Sequence, residues 1–277
     1  MKLAFSNIAW SPADDERVAG WMREAGFAGV EIAPTKVWPK PLDATVDQLL
    51  ACRRWWEARG LPIVSMQALL FGRADLAIFG TATLREQTLD YLERIMAIGG
   101  VLGVGPLVFG SPKNRRAAGV DAAEVDRIAV DFFRRAGDAA ARHRVVLCIE
   151  PNPTQYDCDW VTCARQGIDF VRRVGHPSFR LHLDAAGMTL AGDELSASFE
   201  GARDVLRHFH VSEPNLGIVG VGGTDHGAMA ASLRNIGYDG WASVEMRGDT
   251  VADLAGTLPA VMALVRSAYG EGHGRAV

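Results

Sequence analysis

Apolar runs of six to ten residues recur along the chain, and between them the apolar positions switch to helical spacing. The runs are KLAFSNIA (2–9), AGVEIA (28–33), PIVSMQ (62–67), VLGVGPLVFG (101–110), VVLCIE (145–150), FRLHLD (179–184), LRHFHVS (206–212) and WASVEM (241–246). Their length and their share of β-branched residues predict strands. In DDERVAGWMREAG, Val18, Trp21, Met22 and Ala25 recur at helical spacing. In TLREQTLDYLERIMAIGG, Leu84, Leu89, Leu92, Ile95 and Met96 do the same, with Gly99-Gly100 as the expected helix stop.

Eight strands alternating with helices imply a parallel sheet. Eight such units in this length fit a closed (β/α)8 barrel, the TIM-barrel architecture of about 250 residues, as a single α/β domain over 1–270. A doubly wound open sheet is the runner-up, but the first strand is followed by AWSPADD rather than a glycine-rich phosphate turn. The tail GEGHGRAV, polar and rich in glycine, is expected to fray, with 271–277 outside the barrel.

Composition narrows the functional classes. Of 277 residues, 48% are hydrophobic, enough for a large core, and the net charge of −4 gives no electrostatic basis for nucleic acid or an anionic membrane surface. No apolar run reaches the length of a membrane span, and the opening MKLAFSNIAW reads as a strand, not a signal peptide. Cys52, Cys148, Cys158 and Cys163 form no Cys-x-x-Cys pair, which fits reduced thiols and a cytoplasmic setting. The expected partner is therefore a small molecule.

Chemistry gathers at the strand ends. The fifth run ends on Glu150, the sixth on Asp184, the seventh carries His210 and the eighth Glu245, at intervals of 34, 26 and 35 residues, each about one βα unit. In a parallel barrel these ends meet at one mouth. Alternation puts Cys148 with Glu150, His182 with Asp184, His208 with His210 and Ser243 with Glu245 on shared faces, so each candidate ligand can point inward. Three carboxylates and an imidazole suit one divalent ion, Mn²⁺ first, with Mg²⁺, Co²⁺ or Zn²⁺ as alternatives. Without an ion the carboxylates repel, and one tends to stay protonated.

In IEPNP, LHLDAAGM, FHVSEPN and GYDGWASVEM, in that order, the chain resembles the xylose isomerase-like sugar isomerase/epimerase superfamily. That group includes ketose 3-epimerases, hydroxypyruvate isomerase, inosose-processing enzymes and endonuclease IV. The resemblance implies that Glu150, Asp184, His210 and Glu245 bind one metal, and that Glu150 and Glu245 exchange protons with substrate. The expected substrate is a sugar or related polyhydroxy ketone. A hydroxy ketone chelated through both oxygens has an acidified C–H, and the cation stabilises the enediolate. One carboxylate removes the proton and another returns it, which epimerises or isomerises the substrate. The same base can start an elimination, so a dehydratase or lyase on a keto-polyol or keto-glycoside is the alternative. Two places depart from the ketose 3-epimerase pattern: Gly187 stands where that branch has a histidine, and Leu216 where it has an arginine. An endonuclease IV-type nuclease fits less well, because the third strand offers Gln67 and the fourth has no histidine.

Further residues carry expectations with ordinary alternatives. In VFGSPKNRR, Ser111, Lys113, Asn114 and Arg115 suit an anionic substrate group or an exposed basic loop. Gln67 is a candidate substrate contact, His182 a candidate support for the ligands, and Glu213 a partner for His210 or substrate. Glu31 faces the mouth or holds a basic neighbour. Trp10 and Trp38 suit a wall over a polyol or ordinary core packing. His226 sits at a helix start that Thr224 or Asp225 caps. Trp55, Trp56, Phe132 and Phe133 are outer-layer packing or a homo-oligomer contact.

Overall fold

The computed structural model describes residues 1–270; the expected frayed tail at 271–277 lies outside the described residues. Eight strands close in sequence order into one parallel ring: β1 (Lys2–Ser6), β2 (Gly29–Ile32), β3 (Ile63–Met66), β4 (Pro106–Phe109), β5 (Val146–Ile149), β6 (Phe179–Asp184), β7 (Leu206–Ser212) and β8 (Trp241–Glu245). The ring shuts where β1 pairs with β8, Leu3 against Ala242 and Phe5 against Val244. It is thus the barrel and not the open sheet. Near-continuous apolar runs belong to strands buried on both faces, and β2, β3 and β4 are buried at every position.

Helices cover the ring: α1 (Asp15–Glu24), α2 (Pro34–Val37), α3 (Val46–Glu57), α4 (Ala82–Leu102), α5 (Ala122–Arg142), α6 (Ala164–Val174), α7 (Ala185–Ala191), α8 (Leu195–Ala202), α9 (His226–Asn235) and α10 (Leu254–Tyr269). On α5, Val125, Ile128, Ala129, Phe132, Phe133 and Ala136 form one buried stripe. Phe133 packs on Phe109 of β4 and Phe179 of β6, with ring centroids 5.5 and 4.8 Å apart. Phe132 and Phe133 are therefore internal packing between helix and barrel.

The fourth unit differs from expectation. Residues 101–102 belong to α4, which runs through Gly99-Gly100 and stops at Gly103, whose φ is +75°. Gly100 is small for another reason: a Cβ there would lie 2.7 Å from the backbone oxygen of His143. The helix needs that glycine to pass the end of α5, so the pair marks a close approach and the stop comes three residues later. The first strand is also shorter than its apolar run, because Asn7–Ala9 turn into a 3₁₀ helix.

A barrel interior is normally filled by branched apolar side chains. Here its upper part is polar: Ser6, Glu31, Ser65, His182, His208, His210 and Ser243 are all essentially inaccessible to solvent. Burying such groups is costly unless they are hydrogen-bonded, and all but His182 have a side-chain partner among the polar groups of the barrel interior. Their bonding pattern defines the site.

Candidate active site

Four strand ends deliver the sequence-derived ligands to the mouth. Asp184 is the last residue of β6 and the N-cap of α7, and its Oδ1 accepts the Gly187 N–H at 2.6 Å. Its Oδ2 accepts from the Ser212 hydroxyl, whose oxygen in turn accepts the Ala186 N–H at 3.0 Å. Glu150 follows β5 directly, its backbone N–H donating to Phe109 at 3.1 Å. Beside it Gly110 leaves room for the carboxylate: a Cβ there would lie 2.3 Å from Glu150 Oε2 and displace it. Glu150, Asp184 and His210 bring one ligand atom each within 4.8 Å of one another. Glu245, at the end of β8, places Oε2 at 3.2 Å from His210 Nδ1.

Below them lies Glu31, from β2. Its Oε1 lies 2.9 Å from His210 Nε2 and its Oε2 lies 2.8 Å from His208 Nε2. Ser65 donates to Oε2 at 2.7 Å, and the Gln67 amide donates to Oε1 at 3.1 Å and to Ser6 at 2.7 Å. Burial alone would raise the Glu31 pKa, but the two imidazoles reverse that and hold it well below the usual carboxylate range. An ionised Glu31 accepts the His210 Nε2–H, so Nδ1 is the nitrogen turned toward Glu150, Asp184 and Glu245, and it would offer its lone pair to a cation on losing its own proton. Nδ1 is buried, and beyond the 3.2 Å approach of Glu245 Oε2 it has no partner. It lies beside three carboxylates, and its chemistry fits a cation among them.

The electrostatics agree. Burial first, then the Glu245 and Asp184 charges, push Glu150 up to about 8. Burial and Glu245 push Asp184 up to about 6. For His210, burial works downward, but Glu31 and Glu245 outweigh it and hold the imidazole well above its ordinary value. Converging anions that resist ionisation are what a bound cation relieves.

The remaining candidates are distributed differently. Gln67 lines the open cleft above the ligands. Lys113 is exposed and lies outside the residues lining that cleft. Arg115 is fully buried, and its Nη2 donates to the Glu150 carbonyl at 2.7 Å and to Asn152 at 2.8 Å. The guanidinium thus braces the backbone of Glu150 from behind, away from the cleft. His182 packs edge-on against His210, ring centroids 4.1 Å apart, with both nitrogens buried and unpartnered. Burial and the neighbouring imidazoles keep it well below its ordinary pKa, hence neutral.

Glu213 points away from His210. It accepts the N–H groups of Gly220 and Thr224, both at 3.0 Å, and lies 3.1 Å from His226 Nε2. His226 Nδ1 then meets the Tyr269 hydroxyl at 2.9 Å. This chain ties the loop after β7 to α10. The cap on α9 is Asp225, which accepts the Ala228 N–H at 2.9 Å. Residues missed in the sequence are Ser212 and Asn152; each had a signal, Ser212 two places after His210 on the same strand face and Asn152 within IEPNP.

A family model described as a xylose isomerase-like TIM barrel matches residues 19–267. The chain is 26% identical over 259 residues to the L-ribulose 3-epimerase of Methylomonas sp. strain DH-1, covering 90% of this chain and 85% of that protein. Among solved structures it is similar to the D-psicose 3-epimerase of Clostridium cellulolyticum H10 crystallised with D-tagatose, with a TM-score of 0.81 at 19% identity over 97% and 99% of the two chains. The 3-keto-D-glucoside 4-epimerase of E. coli gives 0.80 at 21% identity over 96% and 99%. At those identities the two structures speak for the fold alone.

Proposed function

The chain belongs to the xylose isomerase-like TIM barrel family, and from that premise we propose that this enzyme is a divalent-metal-dependent epimerase or isomerase of a polyhydroxy ketone. The observation that carries the reading is the buried Nδ1 of His210, turned by Glu31 toward Glu150, Asp184 and Glu245. These four would hold the ion, with Mn²⁺ first because carboxylate oxygens outnumber the single imidazole. When bound, a divalent ion polarises the carbonyl and hydroxyl oxygens of a hydroxy ketone and acidifies the C–H between them.

Glu150 and Glu245 are the acid/base pair. β5 and β8 stand apart in the ring, so their carboxylates reach the mouth from different sides. One takes the substrate proton, and the other returns one to the opposite face or the adjacent carbon. Gln67 lines the same cleft, and with its amide N–H groups given to Ser6 and Glu31 it would offer substrate its carbonyl oxygen. The named epimerase relatives act on free ketoses or, in one case, a keto-glucoside.

The test is exchange in D₂O with ketoses, following deuterium at the carbon next to the carbonyl. Uptake without loss of a substituent is expected, abolished by exhaustive chelation and restored by Mn²⁺. Glu150→Gln and Glu245→Gln should each lower exchange by about 10²–10⁴-fold while leaving the circular dichroism unchanged. Expulsion of a substituent identifies elimination instead. Full activity after chelation refutes the metal reading.

A further inference from the structure

The mouth has two lobes. The smaller, about 370 Å³, lies over Glu150, Asp184 and Glu245. The larger, about 760 Å³, extends over the first strands and the loop after β8. Gln67, Ala68, Leu216, Glu245 and Arg247 line both, so the two are continuous. A six-carbon sugar fills the space of about six waters, roughly 180 Å³ at ~30 Å³ each. The smaller lobe alone holds it, and the larger is left over.

The larger lobe is built for a ring. Phe71, Val251 and Leu254 give it apolar surface over the buried Trp10 and Ala33, and Thr35 and Lys36 give polar handles. Phe71 is 70% exposed at the rim, in a molecule that buries most of its large apolar side chains. Sugar and aryl rings share the chemistry that such a wall recognises, an apolar face with a polar edge. At the junction of the lobes, Leu216 presents an aliphatic side chain with φ +57° and leaves the passage without a charged group from that position. Arg247 supplies the guanidinium at the junction, held by Asp249 at 2.7 Å.

We infer that the larger lobe is a subsite for a second ring carried by the substrate, so that the preferred substrate is a keto sugar bearing a glycosyl or aryl group. This rests on the proposed proton-transfer chemistry for the reacting half only. The ring-bearing half binds whether or not the chemistry is as proposed.

Two measurements keep these apart. The first compares deuterium exchange of a free ketohexose with that of a keto-disaccharide and a 4-nitrophenyl keto-glycoside on the metal-loaded enzyme. A kcat/KM higher by on the order of tenfold is expected for one ring-bearing substrate, and which one is favoured separates glycosyl from aryl. The second is calorimetric binding of 4-nitrophenyl β-D-glucopyranoside and cellobiose against methyl β-D-glucopyranoside, which needs no turnover. Thr35→Trp, which narrows the lobe, and Phe71→Ala, at its exposed rim, should reduce the preference and leave the free ketose and the methyl glycoside unchanged. Equal binding of all three glycosides, or a variant effect equal on ring-bearing and ring-free ligands, overturns the inference. Absence of exchange with every ketone overturns the proposed function while the binding comparison still decides the lobe.

Discussion

Glu31 does more for the site than its position on the second strand suggests. It binds no ligand in the reading above, yet it fixes which nitrogen of His210 faces the carboxylates. Glu31→Gln should weaken Mn²⁺ affinity by about 10–100-fold with little change in fold, as read by titration calorimetry and circular dichroism. An unchanged affinity would mean that His210 is oriented by packing against His182.

Glu150 gives a pH prediction at the same scale. Its folded pKa of about 8 stands above its ordinary 4.5, so the folded ion-free protein binds its proton more tightly than the unfolded chain does. That contribution is complete below about 4.5 and is lost as pH rises through about 8. Asp184 acts likewise between 3.8 and about 6. In chelator, the melting temperature should therefore fall from pH 5.5 to pH 8, by an amount on the order of a few kcal/mol in stability. Added Mn²⁺ should raise it more at pH 8 than at pH 5.5. Equal gains at both pH values would show that the carboxylates do not converge as described. The four candidate ligands were legible in the sequence because each sits at or near the end of an apolar run, at a spacing of about one βα unit. The Glu31 network was not, because His208 and His210 lie 177 and 179 residues away from it along the chain.

At the scale of elements, glycine and aromatic positions carry the packing. Gly100→Ala forces a methyl against the His143 backbone oxygen, which cannot retreat without moving the end of α5. It should cost about 1–3 kcal/mol, more than Gly103→Ala at the helix stop, which should cost about 1 kcal/mol for its left-handed conformation. Urea unfolding of both variants checks the order. Phe133→Ala removes a ring packed on Phe109, Phe132, Phe170 and Phe179 and should cost about 3–5 kcal/mol. The misread fourth strand has the same origin. Helix and strand are equally apolar at 95–109, and no periodicity separates a buried helix end from a buried strand; only the approach of α5 explains the glycine pair.

For the whole molecule, the count and order of strands were readable, and they sufficed to place the mouth. The shape of the mouth was not. Its walls come from loops of unequal length, and side chains as distant as Ile8 and Leu254 meet only after closure. Arg115 illustrates the limit: as part of a basic run it reads as an anion cradle, yet its burial behind Glu150 makes it a brace. Among the described residues, no helix is long and apolar enough to cross a membrane.

Ring closure between the first strand and the last has a temporal consequence. During synthesis Glu31 emerges early, Glu150 and Asp184 midway, and Glu245 only with the strand that seals the cylinder. On the proposed metal reading, a growing polypeptide would hold an incomplete ligand set until its final strand docks beside its first. Cation capture would then be a late step of maturation, and intermediates stalled before that docking should take up Mn²⁺ only weakly.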